Sequence, residues 1–225
     1  MFLYELHMHT SEGSACGKSS IHDMIRFYKD HGFAGAVVTD HFSRGNCRPD
    51  RNLPWEEFLN AYCRSYYEGL ETAAKLDFDL LFGVEQGYGG GKEFLAYGFE
   101  PEFLYARPQL QAAGVAVWSQ ELRAVGGFLA YAHPFRQRSY IPEPRTMPDL
   151  SLADGVEVFN YCNLPEDNAL AAETFKAGET ILIAGSDLHR DTASGCCGVA
   201  LTHRVRTSAE LAQALHENNF KITIV

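Results

Sequence analysis

The apolar positions of the chain fall into short continuous runs separated by longer amphipathic stretches. Phe2 to His7, Ala34 to Thr39, Asp79 to Val84, Phe94 to Phe99, Gly127 to Ala132, Gly155 to Phe159 and Thr180 to Ala184 have the length and residue content of buried strands. Val199 to Leu201 and Ile222 to Val225 are two shorter ones. Between them the spacing predicts helices. The first runs from Ile21 to His31, opened by Ser19-Ser20 and closed by Gly32. One long helix is expected from Trp55 to Lys75, then others over Pro108 to Ala124, near Asp167 to Lys176, and from Ser208 to Glu217. Gly87 to Gly91 reads as a hairpin turn. Strands alternating with helices predict an α/β fold with a largely parallel sheet covered by helices. No linker, composition shift or repeat divides the chain, so residues 1–225 read as a single domain.

Composition narrows the class further. Apolar residues are 46% and charged residues 21%, which excludes disordered and fibrous classes. No apolar run is long enough for a membrane span, so no membrane partner is expected. The N-terminus has neither a basic region nor a small-residue cleavage site, which points to a cytoplasmic location with six reduced cysteines. The formal charge of −10 argues against nucleic acid as a partner, unless bound cations reverse the field locally.

The candidate chemistry sits where the strands end. His7-Met8-His9 ends the first, Asp40-His41 the second and Glu85 the third; His133 follows the strand at Gly127–Ala132, and Asp187-Leu188-His189 follows the one at Thr180–Ala184. In barrels and open sheets that carboxyl edge is where active sites are built. His7 and His9 are two residues apart, so on an extended backbone both point to one face. Imidazoles mixed with carboxylates are a ligand set for zinc, manganese or iron. Five His and at least two carboxylates exceed what one tetrahedral ion takes, so two or three divalent ions are implied, with a carboxylate bridging a pair. His22, His31, His203 and His216 lie away from these ends and read as ordinary structural histidines.

Six segments, in order, resemble the motifs of the PHP (polymerase and histidinol phosphatase) superfamily. They are His7-Met8-His9-Thr10, Thr39-Asp40-His41, Gly83-Val84-Glu85, Ala132 to Arg136, Glu157 to Asn160 and Gly185 to His189. The resemblance implies a distorted, TIM-like (β/α)7 barrel with a metal site at the carboxyl ends of its strands. It implies that His7, His9, Glu85 and Asp187 hold one metal, that Glu85 bridges to a second held by His133, and that His41 and His189 hold a third. Many members have a His where this chain has Glu93, which ligates or simply enters its strand. Many also place an acid in the loop after His9, where Glu12 is the candidate here.

The expected activity is that of a metal-dependent hydrolase of phosphoric esters, acting on a small phosphorylated molecule through metal-activated hydroxide. Glu85 would be its bridging catalytic carboxylate. Arg136 is the first choice for a phosphate clamp, since guanidinium binds phosphate oxygens bidentately. Arg190 and Lys18 are further substrate-binding candidates. Asp40 is expected to orient a ligating His or a water. Asn160 would touch substrate or cap the turn that follows it. The competing readings are a nuclease or editing-type phosphodiesterase, a catalytically silent metal-binding regulatory module, and metal-dependent C–N hydrolysis.

Overall fold

A computed structural model describes all 225 residues. Strand β1 (Phe2–Met8) is followed by helix α1 (Ile21–Asp30), whose start is capped by Ser20 accepting from the Asp23 amide. Buried Ile21, Met24, Ile25 and Tyr28 form the apolar stripe of α1. Next come β2 (Gly35–Val38), α2 (Trp55–Tyr62), α3 (Arg64–Lys75), β3 (Asp79–Phe82), β4 (Val84–Gly89) and β5 (Lys92–Tyr97). Then α4 (Pro101–Tyr105) and α5 (Val115–Arg123) precede β6 (Phe128–Tyr131) and β7 (Gly155–Asn160). The chain finishes with α6 (Pro165–Thr174), β8 (Ile181–Gly185), β9 (Cys197–Leu201), α7 (Ser208–Glu217) and β10 (Phe220–Ile224).

The strands form two five-stranded sheets, ordered β10-β9-β1-β2-β3 and β4-β5-β6-β7-β8. The expected α/β class holds; where the resemblance implies a distorted, TIM-like (β/α)7 barrel, the strands form two sheets and no closed ring of paired strands. Parallel pairing is confined to β1–β2–β3 and β6–β7–β8, and the pairs β4–β5, β5–β6, β1–β9 and β9–β10 are antiparallel. Between β4 and β5 the reason is local: Gly90 and Gly91, with φ of 57° and 73°, make a tight hairpin turn instead of a helical crossover. At Gly83 the chain leaves one sheet and enters the other, since β3 pairs with β2 whereas β4 pairs with β5. Single bridges span both seams: His41 with Glu85 on one side, Met8 with Leu188 on the other. The site residues thus lie along the seams.

Alternation along the strands divides the interior in two. Val37, Leu81, Leu95, Tyr97, Phe128 and Ala130 face one core, which α7 closes with Leu211 and Leu215. Ala36, Val38, Leu80, Phe82, Phe94, Ala96, Leu129 and Tyr131 face the other, packed under α1 to α3 and Trp118 of α5. Burial on both faces explains why these strands read as unbroken apolar runs.

Two expected helices are interrupted. The stretch from Trp55 to Lys75 breaks at Cys63 into α2 and α3. At the break, the Tyr62 hydroxyl donates to the Asp40 carbonyl (2.5 Å) and Ser65 Oγ to the Asp40 carboxylate (3.1 Å). The stretch from Pro108 to Ala124 becomes a short 3₁₀ turn, Pro108–Gln111, then α5 after Gly114. No helix is long and apolar enough to cross a membrane.

Candidate metal centre

Glu85 is the hub. It is fully buried, and its two oxygens lie 3.1 Å from His7 Nε2, 3.4 Å from His9 Nε2, 2.7 Å from His41 Nδ1 and 3.0 Å from His133 Nε2. Asp187 Oδ1 stands 3.0 Å from His9 Nε2 and 3.5 Å from His7 Nε2. Glu93, on β5, comes within 3.2 Å of His41 Nδ1 and 3.7 Å of His133 Nε2, so the structure brings it into the cluster. The ring of His189 lies 4.3 Å from that of His9.

Burial alone would raise the Glu85 and Asp187 carboxyls, but neighbouring charges and hydrogen bonds dominate. The charges of His7 and His41, with hydrogen bonds from His133 and His41, hold Glu85 well below the usual carboxylate range, and Arg136 with His7 does the same for Asp187. His9 is driven the other way: burial, then His189 and His41, hold it well below the ordinary imidazole value. His9 is thereby kept neutral, the form that binds a metal.

The backbone and neighbouring polar groups aim these rings. The Glu157 carboxylate accepts from His7 Nδ1 (2.9 Å), the His133 amide (2.9 Å) and Asn160 Nδ2 (2.9 Å). His9 Nδ1 meets Ser14 Oγ (3.1 Å), and His189 Nδ1 donates to the Asp187 carbonyl (2.9 Å). With Nδ1 engaged, Nε2 of each ring is left as the free donor to a cation. His133 and Asp187 both have positive φ, 28° and 57°, a conformation that costs energy for residues with a side chain.

Four buried atoms in the cluster have no hydrogen-bond partner: His7 Nε2, His9 Nε2, His41 Nδ1 and Glu85 Oε2. They are close to other polar atoms but not aligned for hydrogen bonds, and an unpaired buried polar group costs about 1–3 kcal/mol. Divalent ions would satisfy all four at once. The donor set therefore fits metal, and several overlapping groups of three ligand atoms are present, among them His7, His9, Glu85 and His41, Glu85, Glu93.

Other expected site residues stand elsewhere. Glu12 is not in the cluster; both its oxygens lie 3.2 Å from the Ile21 amide, at the first turn of α1, where a carboxylate complements the helix dipole. Asp40 touches neither a ligating ring nor the cavity. It accepts from the Thr10 amide (2.7 Å), Thr10 Oγ1 (2.6 Å) and Ser14 Oγ (2.7 Å), so it acts on His9 only through Ser14. Lys18 and Arg190 are exposed and do not line the cavity. Asn160 is fully buried and accepts from Arg136 Nη2 (2.9 Å), which makes it an anchor for that guanidinium.

Arg136 itself borders the cluster. Nε donates to Asn163 Oδ1 (2.7 Å), and Nη2 donates to Asn160 and to the Asp187 carboxylate. Its Nη1 makes no hydrogen bond to the protein. A cavity of about 580 Å³ opens over the cluster, lined by His41, Glu93, Arg136, Asp187 and His189 together with Arg44, Arg138, Tyr140 and two thiols, Cys16 and Cys162. Sequence reasoning missed Glu157, Cys16 and Arg138. For Glu157 a signal existed, since a carboxylate inside a buried strand needs a partner.

No protein-family model matches the chain, and no curated protein matches it in sequence. Solved structures do match in fold. A two-domain protein from Bacteroides vulgatus containing a predicted PHP-like metal-dependent phosphoesterase superposes with a TM-score of 0.67 at 16% identity. The match covers 99% of this chain and 64% of that one, so this chain spans less than two thirds of that protein's length. A proposed metal-dependent phosphoesterase from Bifidobacterium adolescentis matches at 0.55 and 15% identity, over 94% and 95% of the two chains. A lesion-specific endonuclease from Pyrococcus furiosus matches at 0.60 and 12% identity, over 98% of this chain and 57% of its own. The chain therefore shares the fold of these proteins, among them the PHP-like phosphoesterase, with its strand-end histidines and acids gathered at one place in it.

Proposed function

We propose that the protein is a metal-dependent phosphoesterase that hydrolyses a small phosphorylated molecule, using two or three divalent ions. One observation carries this reading: three unpartnered buried imidazole nitrogens surround a single carboxylate, Glu85, whose own Oε2 is also unpartnered, beside a buried arginine. In this reading His7, His9, Glu85 and Asp187 hold one ion, and Glu85 with His133 a second. His41 and His189 hold a third, and Glu93 adds an oxygen ligand next to His41. When bound, such ions supply Lewis acidity toward phosphoryl oxygens and a water of lowered pKa.

The remaining roles belong to the chain's own groups. Arg136, held in a fixed plane by Asn160 and Asn163, offers its free Nη1 to a non-bridging phosphate oxygen. Because these anchors order the guanidinium before substrate arrives, little side-chain entropy is lost on binding. Arg44 and Arg138 at the mouth add positive charge to an otherwise acidic molecule and draw anions inward. A cavity of about 580 Å³ and a net charge of −10 favour a compact anionic ester over a nucleic-acid duplex.

The test is hydrolysis by metal-reconstituted protein across phosphomonoesters, phosphodiesters and a DNA strand, with His9→Ala as control. The expected result is turnover of a small ester that chelation and His9→Ala both abolish. Turnover of DNA alone would favour the nuclease reading. Stoichiometric metal with no hydrolysis would favour a regulatory module, and wild-type turnover by His9→Ala would refute a catalytic cluster.

A further inference from the structure

Two arginines besides Arg136 line the cavity, Arg44 and Arg138, each a few residues past a candidate ligand, His41 or His133. Arg136 is paired with Asp187, whereas neither of the other two forms an ion pair, although acids outnumber bases 29 to 19 in the chain. Their guanidiniums donate only to main-chain carbonyls: Arg44 Nη1 to Ala113 (3.2 Å), Arg138 Nη1 to Gln137 (2.9 Å) and Arg138 Nη2 to Cys162 (3.1 Å). A carbonyl fixes a guanidinium without neutralising it. The segments that carry the two arginines are fastened as well. The Arg44 amide donates to Oε1 of fully buried Gln86 (2.8 Å). On the other side, the Gln137 amide and Nε2 both donate to the buried Asp167 carboxylate (3.1 Å each). Lys92 Nζ spends its three protons on the carbonyls of Pro134 (2.9 Å), Pro144 (3.1 Å) and Thr146 (2.9 Å), which docks the loop around Arg138 onto the start of β5. A Cβ on Gly91 would lie 2.9 Å from the Tyr140 carbonyl oxygen, so only glycine lets that loop close on the β4–β5 turn.

We propose that the substrate carries a second anionic group, a phosphate or a carboxylate, besides the phosphate that is hydrolysed, and that Arg138 and Arg44 receive it at the cavity mouth. The inference rests on the phosphoesterase reading given above and names its substrate class. Arg136 borders the cluster and serves the reacting phosphate, which leaves the charges of Arg44 and Arg138 unmet by an ester with no other anion. A cavity of about 580 Å³ takes a whole small molecule, and beyond the cluster itself its charged lining is entirely cationic: Arg44, Arg136 and Arg138. Because both mouth guanidiniums are already held, a second anion gains charge-assisted hydrogen bonds with little loss of side-chain entropy.

Calorimetry of non-hydrolysable phosphonates binding to zinc-reconstituted protein tests this without turnover. Alkylphosphonates carry one anionic group; ω-carboxyalkylphosphonates and alkane-α,ω-diphosphonates of matched chain lengths carry two. Metal content is checked after each titration. In the wild type, a two-anion ligand should bind about tenfold or more tightly than the alkylphosphonate of the same length, and the series with the larger gap identifies the second group as carboxylate or phosphate. Arg138→Gln should cut the gap to about threefold or less, and Arg44→Gln should narrow it. Arg145→Gln, on the same loop but outside the cavity, should leave it intact. No gap at any chain length, a gap that neither Arg138→Gln nor Arg44→Gln narrows, or one lost equally in Arg145→Gln overturns the inference. Turnover of singly anionic phosphoesters by a protein that shows no gap overturns it while leaving the phosphoesterase reading intact. A gap with no turnover of any phosphoester overturns that reading and leaves the second-anion subsite standing.

Discussion

Glu157→Gln isolates how the fold aims a ligand without touching a ligand. Glu157 is buried and accepts three hydrogen bonds at 2.9 Å, one oxygen serving His7 Nδ1 and the other serving the His133 amide and Asn160 Nδ2. A carboxamide keeps only one acceptor. If its oxygen faces His7, its NH₂ confronts two buried donors, each left unpaired at about 1–3 kcal/mol. If the amide flips, its oxygen serves those two donors and its NH₂ donates to His7 Nδ1. The flip is favoured by a few kcal/mol on this count, and it forces the His7 proton onto Nε2, the atom 3.1 Å from Glu85. The folded protein should therefore persist with His7 in the tautomer that cannot bind metal. Losing a carboxylate that orients a ligating His typically costs about 10–100-fold in metal affinity, or about 1.4–2.7 kcal/mol. Competition against a chromophoric chelator measures the affinity, imidazole nitrogen NMR reads the tautomer, and urea titration checks the fold. Metal affinity within twofold of wild type, with the His7 proton still on Nδ1, would refute the reasoning.

Two further perturbations test neighbouring parts of the same construction. A Cβ on Gly185, at the end of β8, would collide with the His7 Cβ and reach within 2.6 Å of Glu157 Oε1. Gly185→Ala should thus destabilise the fold by about 1–3 kcal/mol through overpacking and weaken metal binding with it; an unchanged melting temperature and affinity would contradict the packing described. Glu5, fully buried beneath the cluster, has its carboxyl pushed up by burial from 4.5 to about 7, despite accepting from the Ser186 and His7 amides. The folded chain then holds more protons than the unfolded one between those values, so stability of the metal-free protein should fall as pH rises from about 5 to about 7. Glu5→Gln, measured by urea titration at several pH values, should flatten that slope; identical slopes in the two proteins would rule Glu5 out as its origin.

Much of the centre was legible in the chain because strand ends are local features. His7, His9, His41, Glu85, His133, Asp187 and His189 each close or follow an apolar run, and a polar residue at a buried strand end is conspicuous without any knowledge of its neighbours. The apolar runs are equally local, and they placed the strands within a residue or two, except that the run from Asp79 to Val84 spans β3 and the start of β4 across the break at Gly83. The hairpin at Gly90-Gly91 was legible from its run of glycines, whereas the break at Cys63 was not, because it depends on which carboxylate lies opposite. The same limit applies to the groups around the ligands. Asp40 and Glu12 looked like chemistry, yet one ties down the loop through Thr10 and Ser14 and the other meets the amide of Ile21. Cys16 and Arg138 looked unremarkable, yet both line the cavity over the cluster, and Glu157, whose place inside a buried strand was a signal, aims His7. Residue type and spacing along one strand declare which atoms can bind a cation. Which of them meet, and which tautomer each presents, follows from contacts across seams between residues as far apart as 7 and 157, and only the folded chain closes those.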